Sequence, residues 1–181
     1  MPYPSEGGKS KTVPKSFRID ESALRAVEVE AASLNVSPNT LVNQILKQYA
    51  DFDRFARKIS TVKISSAPFR GILAAVDVGL LIEVAKTAGS SIPQAFAMAK
   101  SGKVDLESFI SHIRLLANYA QLFEFSETVD MHGRVVTLIH DFGLNWSIFL
   151  VHYVTEMFTQ IGLSPKIDMS DRSVILTLPG A

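Results

Sequence analysis

With 181 residues, 47% of them hydrophobic and 20% charged, the chain is long enough for two small domains or one of ordinary size. It contains no cysteine, which excludes disulfides and thiolate chemistry and suits a cytoplasmic protein. Its 18 basic and 18 acidic residues cancel, so any attraction to a polyanion depends on where the charges sit and not on their sum.

Residues 1–13 hold Pro2, Pro4, Gly7 and Gly8 together with Lys9 and Lys11 and few apolar side chains, a composition that predicts a disordered basic arm. The continuous apolar run of a signal peptide is missing, so no export signal is expected. Up to Arg18 the bases Lys9, Lys11, Lys15 and Arg18 face one acid, Glu6. A dimer would double that cluster, which favours phosphate attraction and predicts strong salt dependence.

Residues 15–19 alternate. Lys15, Phe17 and Ile19 fall on one face and Ser16 and Arg18 on the other, the period of a half-buried strand. A strand this short, with no hairpin turn after it, leaves its backbone groups unpaired, so the same strand of a second chain is its expected partner. Asp20 stands at a helix N-cap with Glu21 in the first turn, and Leu24, Val27, Ala31 and Leu34 form one apolar stripe closed by Asn35. Ser37 is a second N-cap, with Pro38 at the first helical position and a second stripe of Leu41, Val42, Ile45, Leu46, Tyr49 and Phe52. Two helices of this length with facing stripes cannot bury both stripes alone.

This strand, helix, turn and helix resembles the ribbon-helix-helix family of DNA-binding proteins, the Arc and CopG type, over roughly residues 13 to 55. The resemblance implies a dimer whose paired strands form a β-ribbon in the major groove. It implies base contacts from Ser16 and Arg18, with Pro14 at a third outward position that offers no polar reader. Backbone contacts are implied for Lys11, Lys15, Ser37, Asn39 and Thr40. The implied dimer core is Phe17, Ile19, Leu24, Val27, Leu41, Ile45, Leu46 and Tyr49. Arg18 suits its role chemically, because a guanidinium donates two parallel hydrogen bonds to guanine O6 and N7, worth about 1–3 kcal/mol of discrimination. The plain alternative is an ordinary α/β domain with Arg18 on a solvated edge.

The expected boundary of this module is residue 58. Beyond it, residues 57–66 read as a linker or a first strand around Val62 and Ile64, and Pro68 opens a very apolar helix ending at Gly89. That run is too short and too charged, with Asp77 and Glu83, to cross a membrane. Ser90, Ser91, Ile92 and Pro93 begin a short helix that stops near Gly102. Asp105 caps a longer one whose buried stripe includes Phe109, Ile110 and Ile113. Residues 124–131 and 134–140 read as a hairpin through His132 and Gly133. Asn145 caps a helix over residues 146–161, and strands follow over 165–169 and 172–178. The expected whole is α+β: a ribbon-helix-helix module, then a C-terminal α/β domain (residues 59–181) with an antiparallel sheet and helices on one face, serving assembly or effector sensing.

No Gly-rich phosphate loop, cysteine nucleophile or close carboxylate pair is present, so no enzyme and no cofactor are expected. The histidines His112, His132, His140 and His152 offer no close pair for a shared metal ion, and His140 beside Asp141 is the strongest metal candidate among them. A stripe of Trp146, Phe149, Leu150, Tyr153 and Met157 reads as core before it reads as a ligand pocket. The expected function is a cytoplasmic, nucleoid-associated transcriptional regulator of a prokaryotic type, binding double-stranded DNA as a homodimer, tetramer or larger assembly, without a membrane partner. Two alternatives stand beside it: an antitoxin or DNA partition factor, and an assembly or ligand-binding protein that uses the N-terminal module only to dimerise.

Overall fold

A strand exists by virtue of its neighbour, and residues 12–20 have none among the described residues. The computed structural model describes residues 12–59, 61–131 and 133–179. In it residues 12–20 carry no secondary structure, and all four strands lie after residue 123. The expected N-terminal β-ribbon is therefore corrected: helices come first, and the sheet of the described residues is C-terminal. The alternation of Phe17 and Ile19 is a real sequence pattern, but it creates no strand where no second backbone accepts its hydrogen bonds.

The described residues divide into two compact units, the first ending at Arg54 and the second beginning at Phe55. In the first, α1 (Glu21–Ser33) starts under Asp20 and ends where Asn35 takes a left-handed φ of 55°. The N–H of Val36 then reaches the carbonyl of Ala31 at 3.0 Å and that of Asn35 reaches Ala32 at 3.2 Å, the paired bonds of a Schellman ending. α2 (Pro38–Gln48) runs into a widened π turn (Tyr49–Asp53) and the short α3 (Arg54–Ala56), which leads into the second unit.

The second unit holds α4 (Ser66–Ala75), α5 (Val78–Ser101), α6 (Leu106–Leu115) and α7 (Leu144–Thr159), with strands β1 (Glu124–Asp130), β2 (Gly133–Ile139), β3 (Lys166–Met169) and β4 (Ser173–Pro179). The sheet is antiparallel in the order β1-β2-β4-β3, with Glu127 opposite Val136 and Val136 opposite Leu176. Strand parity sends Val136, Leu138, Val174, Leu176 and Leu178 inward. There they meet Phe109, Ile110 and Ile113 of α6 and Met157 and Phe158 of α7, all exposed by 1% or less.

Two helix boundaries differ from expectation. The chain breaks at Val76 and Asp77, where the Asp77 carboxylate accepts the N–H of Leu80 at 3.0 Å and starts α5. It does not break at Gly89, because α5 continues through Gly89 and a buried Pro93 to Gly102, whose φ of 67° ends it. A Cβ on Gly89 would stand 2.3 Å from the backbone oxygen of Tyr153, so the glycine serves a close approach of α5 to α7 and not a stop. Asn145 is likewise not a cap: Gly143 occupies that position, and the Asn145 amide donates to the Leu73 carbonyl at 2.6 Å, satisfying an acceptor in the last turn of α4.

Candidate nucleic-acid interface

The residues with DNA chemistry lie in the first unit, on two local frames. The first is the start of α1. The Asp20 carboxylate accepts from the N–H groups of Ser22 and Ala23 at 2.9 and 3.2 Å and from the Ser22 hydroxyl at 2.5 Å. These bonds, the hydroxyl's foremost, hold its carboxyl below the ordinary value, so the cap stays charged at the positive end of the helix. Arg25 pairs with Glu21 one turn on, at 3.2 Å. The cap sets where the preceding segment leaves the helix. In that segment Pro14, Lys15, Ser16, Phe17, Arg18 and Ile19 are all exposed. Lys11 lies outside the described residues.

The second frame is the start of α2. The Ser37 hydroxyl accepts the N–H of Thr40 at 3.1 Å and shares a 2.8 Å hydrogen bond with the Thr40 hydroxyl, while the N–H of Leu41 returns to the Ser37 carbonyl at 3.1 Å. Pro38 has no N–H. Among the described residues, the donor of this first turn left to an outside oxygen is therefore the N–H of Asn39, beside the exposed side chains of Ser37, Asn39 and Thr40.

Of the eight residues assigned to a dimer core, Leu41 is buried within the single chain and Val27 is half-buried. The other six, Phe17, Ile19, Leu24, Ile45, Leu46 and Tyr49, are exposed, Phe17 by 68%, Ile19 by 50% and Leu46 by 51%. Val29 is also exposed, and it was missed because it lies off the stripe that marks the apolar face of α1. The buried hydrophobic residues of the described first unit are Ala31 and Leu41.

The second unit places two of its histidines, His140 and His112, in structural roles. His140 Nε2 meets the Ser147 hydroxyl at 3.0 Å, and its Nδ1 accepts the N–H of Phe142 at 3.3 Å, so both ring nitrogens are engaged. Burial lowers its pKa despite the nearby charges of Asp141 and Asp171, and no group of three or more metal-ligating side chains gathers among the described residues. His112 is buried against Phe96 and Tyr153, and His132 lies outside the described residues. Trp146, Phe149 and Tyr153 stack along α7 with centroids 4.9 and 5.8 Å apart, as members of the core or packed against it. Sequence spacing gave no sign of the ion network Glu107, Arg134, Glu127 and Arg114, whose members come from α6, β1 and β2.

No helix among the described residues is long and apolar enough to cross a membrane. No family model, curated protein or solved structure matches the chain.

Proposed function

We propose that this chain is a sequence-specific DNA-binding regulator that acts as a dimer through its first unit, with Arg18 as the principal base reader. The observation that carries the reading is the exposure of six apolar side chains, Phe17, Ile19, Leu24, Ile45, Leu46 and Tyr49, beside the exposed Ser16 and Arg18. A two-helix unit that buries only Ala31 and Leu41 among its described hydrophobic residues does not offset the roughly 1–2 kcal/mol that ordering each residue costs. Covering the six in a second copy contributes on the order of 5 kcal/mol per chain, at about 1.5–3 kcal/mol for full burial of each and about half of that already realised. The same contact doubles Lys15 and Arg18, supplying both phosphate attraction and two guanidinium readers. Ser37, Asn39 and Thr40 position the dimer on the backbone without specifying sequence.

The experiment is binding of the purified chain to the DNA upstream of its own coding sequence, against a random duplex of equal length, at two salt concentrations. Tight, salt-sensitive binding that prefers the upstream duplex is the expected result. The exposed apolar set also favours a second reading, in which the first unit serves only to dimerise. A stable dimer that binds neither duplex at low salt would establish that reading in place of the first.

A further inference from the structure

Acids and bases are segregated along the second unit. Residues 55–76 contain Arg57, Lys58, Lys63 and Arg70 and no acid, whereas residues 77–181 carry seven bases and eleven acids. A unit that is neutral as a whole thus consists of a leading segment of charge +4 and a remainder of charge −4.

The two parts also differ in what their bases touch. In the remainder, Lys86, Arg114, Arg134, Lys166 and Arg172 each pair with a carboxylate. In the leading segment Lys58, Lys63 and Arg70 are exposed and have no carboxylate partner among the described residues; Lys58 lies 6.0 Å from the centre of the Phe55 ring. The segment is held at both ends. Phe55 is buried edge-on to Phe96 at 5.5 Å, and Phe69 packs edge-on to Trp146 at 5.3 Å. Between these anchors the N–H and hydroxyl of Thr61 both donate to the Ala56 carbonyl at 3.4 Å, closing the turn that carries Arg57 and Lys58. Residues 61–65 follow without secondary structure and are exposed.

Resting on the reading that the chain binds DNA, we infer that Lys58, Lys63 and Arg70 form a second, sequence-independent contact surface for the phosphate backbone. Lys58, Lys63 and Arg70, like charges with no carboxylate partner among the described residues, stand on an anchored segment and fit a ligand that brings a row of negative charges. The remainder, net negative, repels the same ligand, so the contact is confined to the basic segment. A membrane surface fits less well. The exposed apolar residues beside Lys63 are the β-branched Val62 and Ile64, and the aromatic side chains of the segment, Phe55 and Phe69, pack inward and offer no interfacial anchor.

The test is the full chain carrying Lys58→Gln, Lys63→Gln and Arg70→Gln, titrated with the upstream and the random duplex over a range of salt, beside wild type. The expected result is a loss of affinity by the same factor for both duplexes, an unchanged preference between them, and a salt slope shallower by about 0.9 for each contact removed. An unchanged affinity and slope, with wild type binding DNA, overturns the inference and leaves the role of Arg18 intact. A changed preference also overturns it, because the residues would then read bases. Wild type that binds neither duplex overturns the DNA reading itself. If the triple variant keeps its DNA slope but loses wild-type binding to phosphatidylserine vesicles, the segment belongs to a membrane surface. Circular dichroism and thermal unfolding establish that the variant is folded, and Lys63→Gln alone, in a segment with no secondary structure, gives the same reading with one third of the slope change.

Discussion

His112 Nε2 and the Tyr153 hydroxyl share a hydrogen bond of 2.8 Å across 41 residues of chain, tying α6 to α7 inside the core. Burial, reinforced by the charge of Lys100, lowers the His112 pKa to about 3, and burial pushes the Tyr153 phenol up, so both groups are neutral in the folded chain. An unfolded imidazole titrates near 6.5, so below about that pH the unfolded chain takes up a proton that the folded chain does not. Stability is fully present above pH 6.5 and falls as pH drops toward about 3, by up to roughly 1.4 kcal/mol per unit. His140, whose pKa is also lowered by burial, acts in the same direction. Urea unfolding at pH 7, 6 and 5 measures this, and a midpoint that does not move would refute it.

Replacing Tyr153 with Phe at pH 7 removes the partner of His112 Nε2, whose Nδ1 already has none among the described residues. The expected cost is about 1–3 kcal/mol, read from the same denaturant curves.

Gly89→Ala places a methyl group 2.3 Å from the Tyr153 carbonyl oxygen, a backbone atom that moves only if α5 and α7 separate. A loss of about 1–3 kcal/mol is expected, although alanine is the better helix former by about 1 kcal/mol. An unchanged or raised melting temperature would show that the two helices do not approach so closely.

Glu127 joins Arg134 at 3.0 Å and Arg114 at 2.5 Å, and the side chains of Glu127 and Arg134 are only 15% and 16% exposed. Glu127→Ala takes from Arg114 its carboxylate and leaves Arg134 with Glu107 alone, while Arg134 Nη1 is already buried and unpartnered among the described residues. Because the site is largely but not wholly buried, the expected cost is about 2–3 kcal/mol, below the figure for a fully buried pair. Arg114→Gln, at a more exposed position, is expected to cost less.

Arg18→Ala and Phe17→Asp separate reading from dimerisation. The first is expected to reduce preference for the upstream duplex by about 1–3 kcal/mol per guanine contact while leaving the mass in solution unchanged. The second puts a charge among the apolar residues assigned to the dimer, and sedimentation is expected to show loss of the dimer. A well-folded Phe17→Asp dimer would remove Phe17 from the interface.

What the sequence determined by itself is the local punctuation. Asp20, Ser37 and Asp105 each cap a helix, and Asn35 and Gly102 take the left-handed turns that end α1 and α5. The hairpin of β1 and β2 and the strands β3 and β4 fall within a residue or two of their expected places. These features rest on hydrogen bonds between groups a few residues apart and on strand alternation, so the necessary partners are visible in the string. Tertiary structure decided the rest. The alternation of residues 15–19 makes no strand, because a strand needs another backbone and the described residues bring none there. Gly89 and Pro93 would end an isolated helix, but α5 runs through them because packing against α7 offsets one lost backbone bond and makes use of the missing side chain. Asn145 turned from its own helix to the carbonyl of Leu73, 72 residues away, and His112 became a core residue through Phe96 and Tyr153. Burial and hydrogen-bond satisfaction are set by distant neighbours, and those become visible only when the chain has folded.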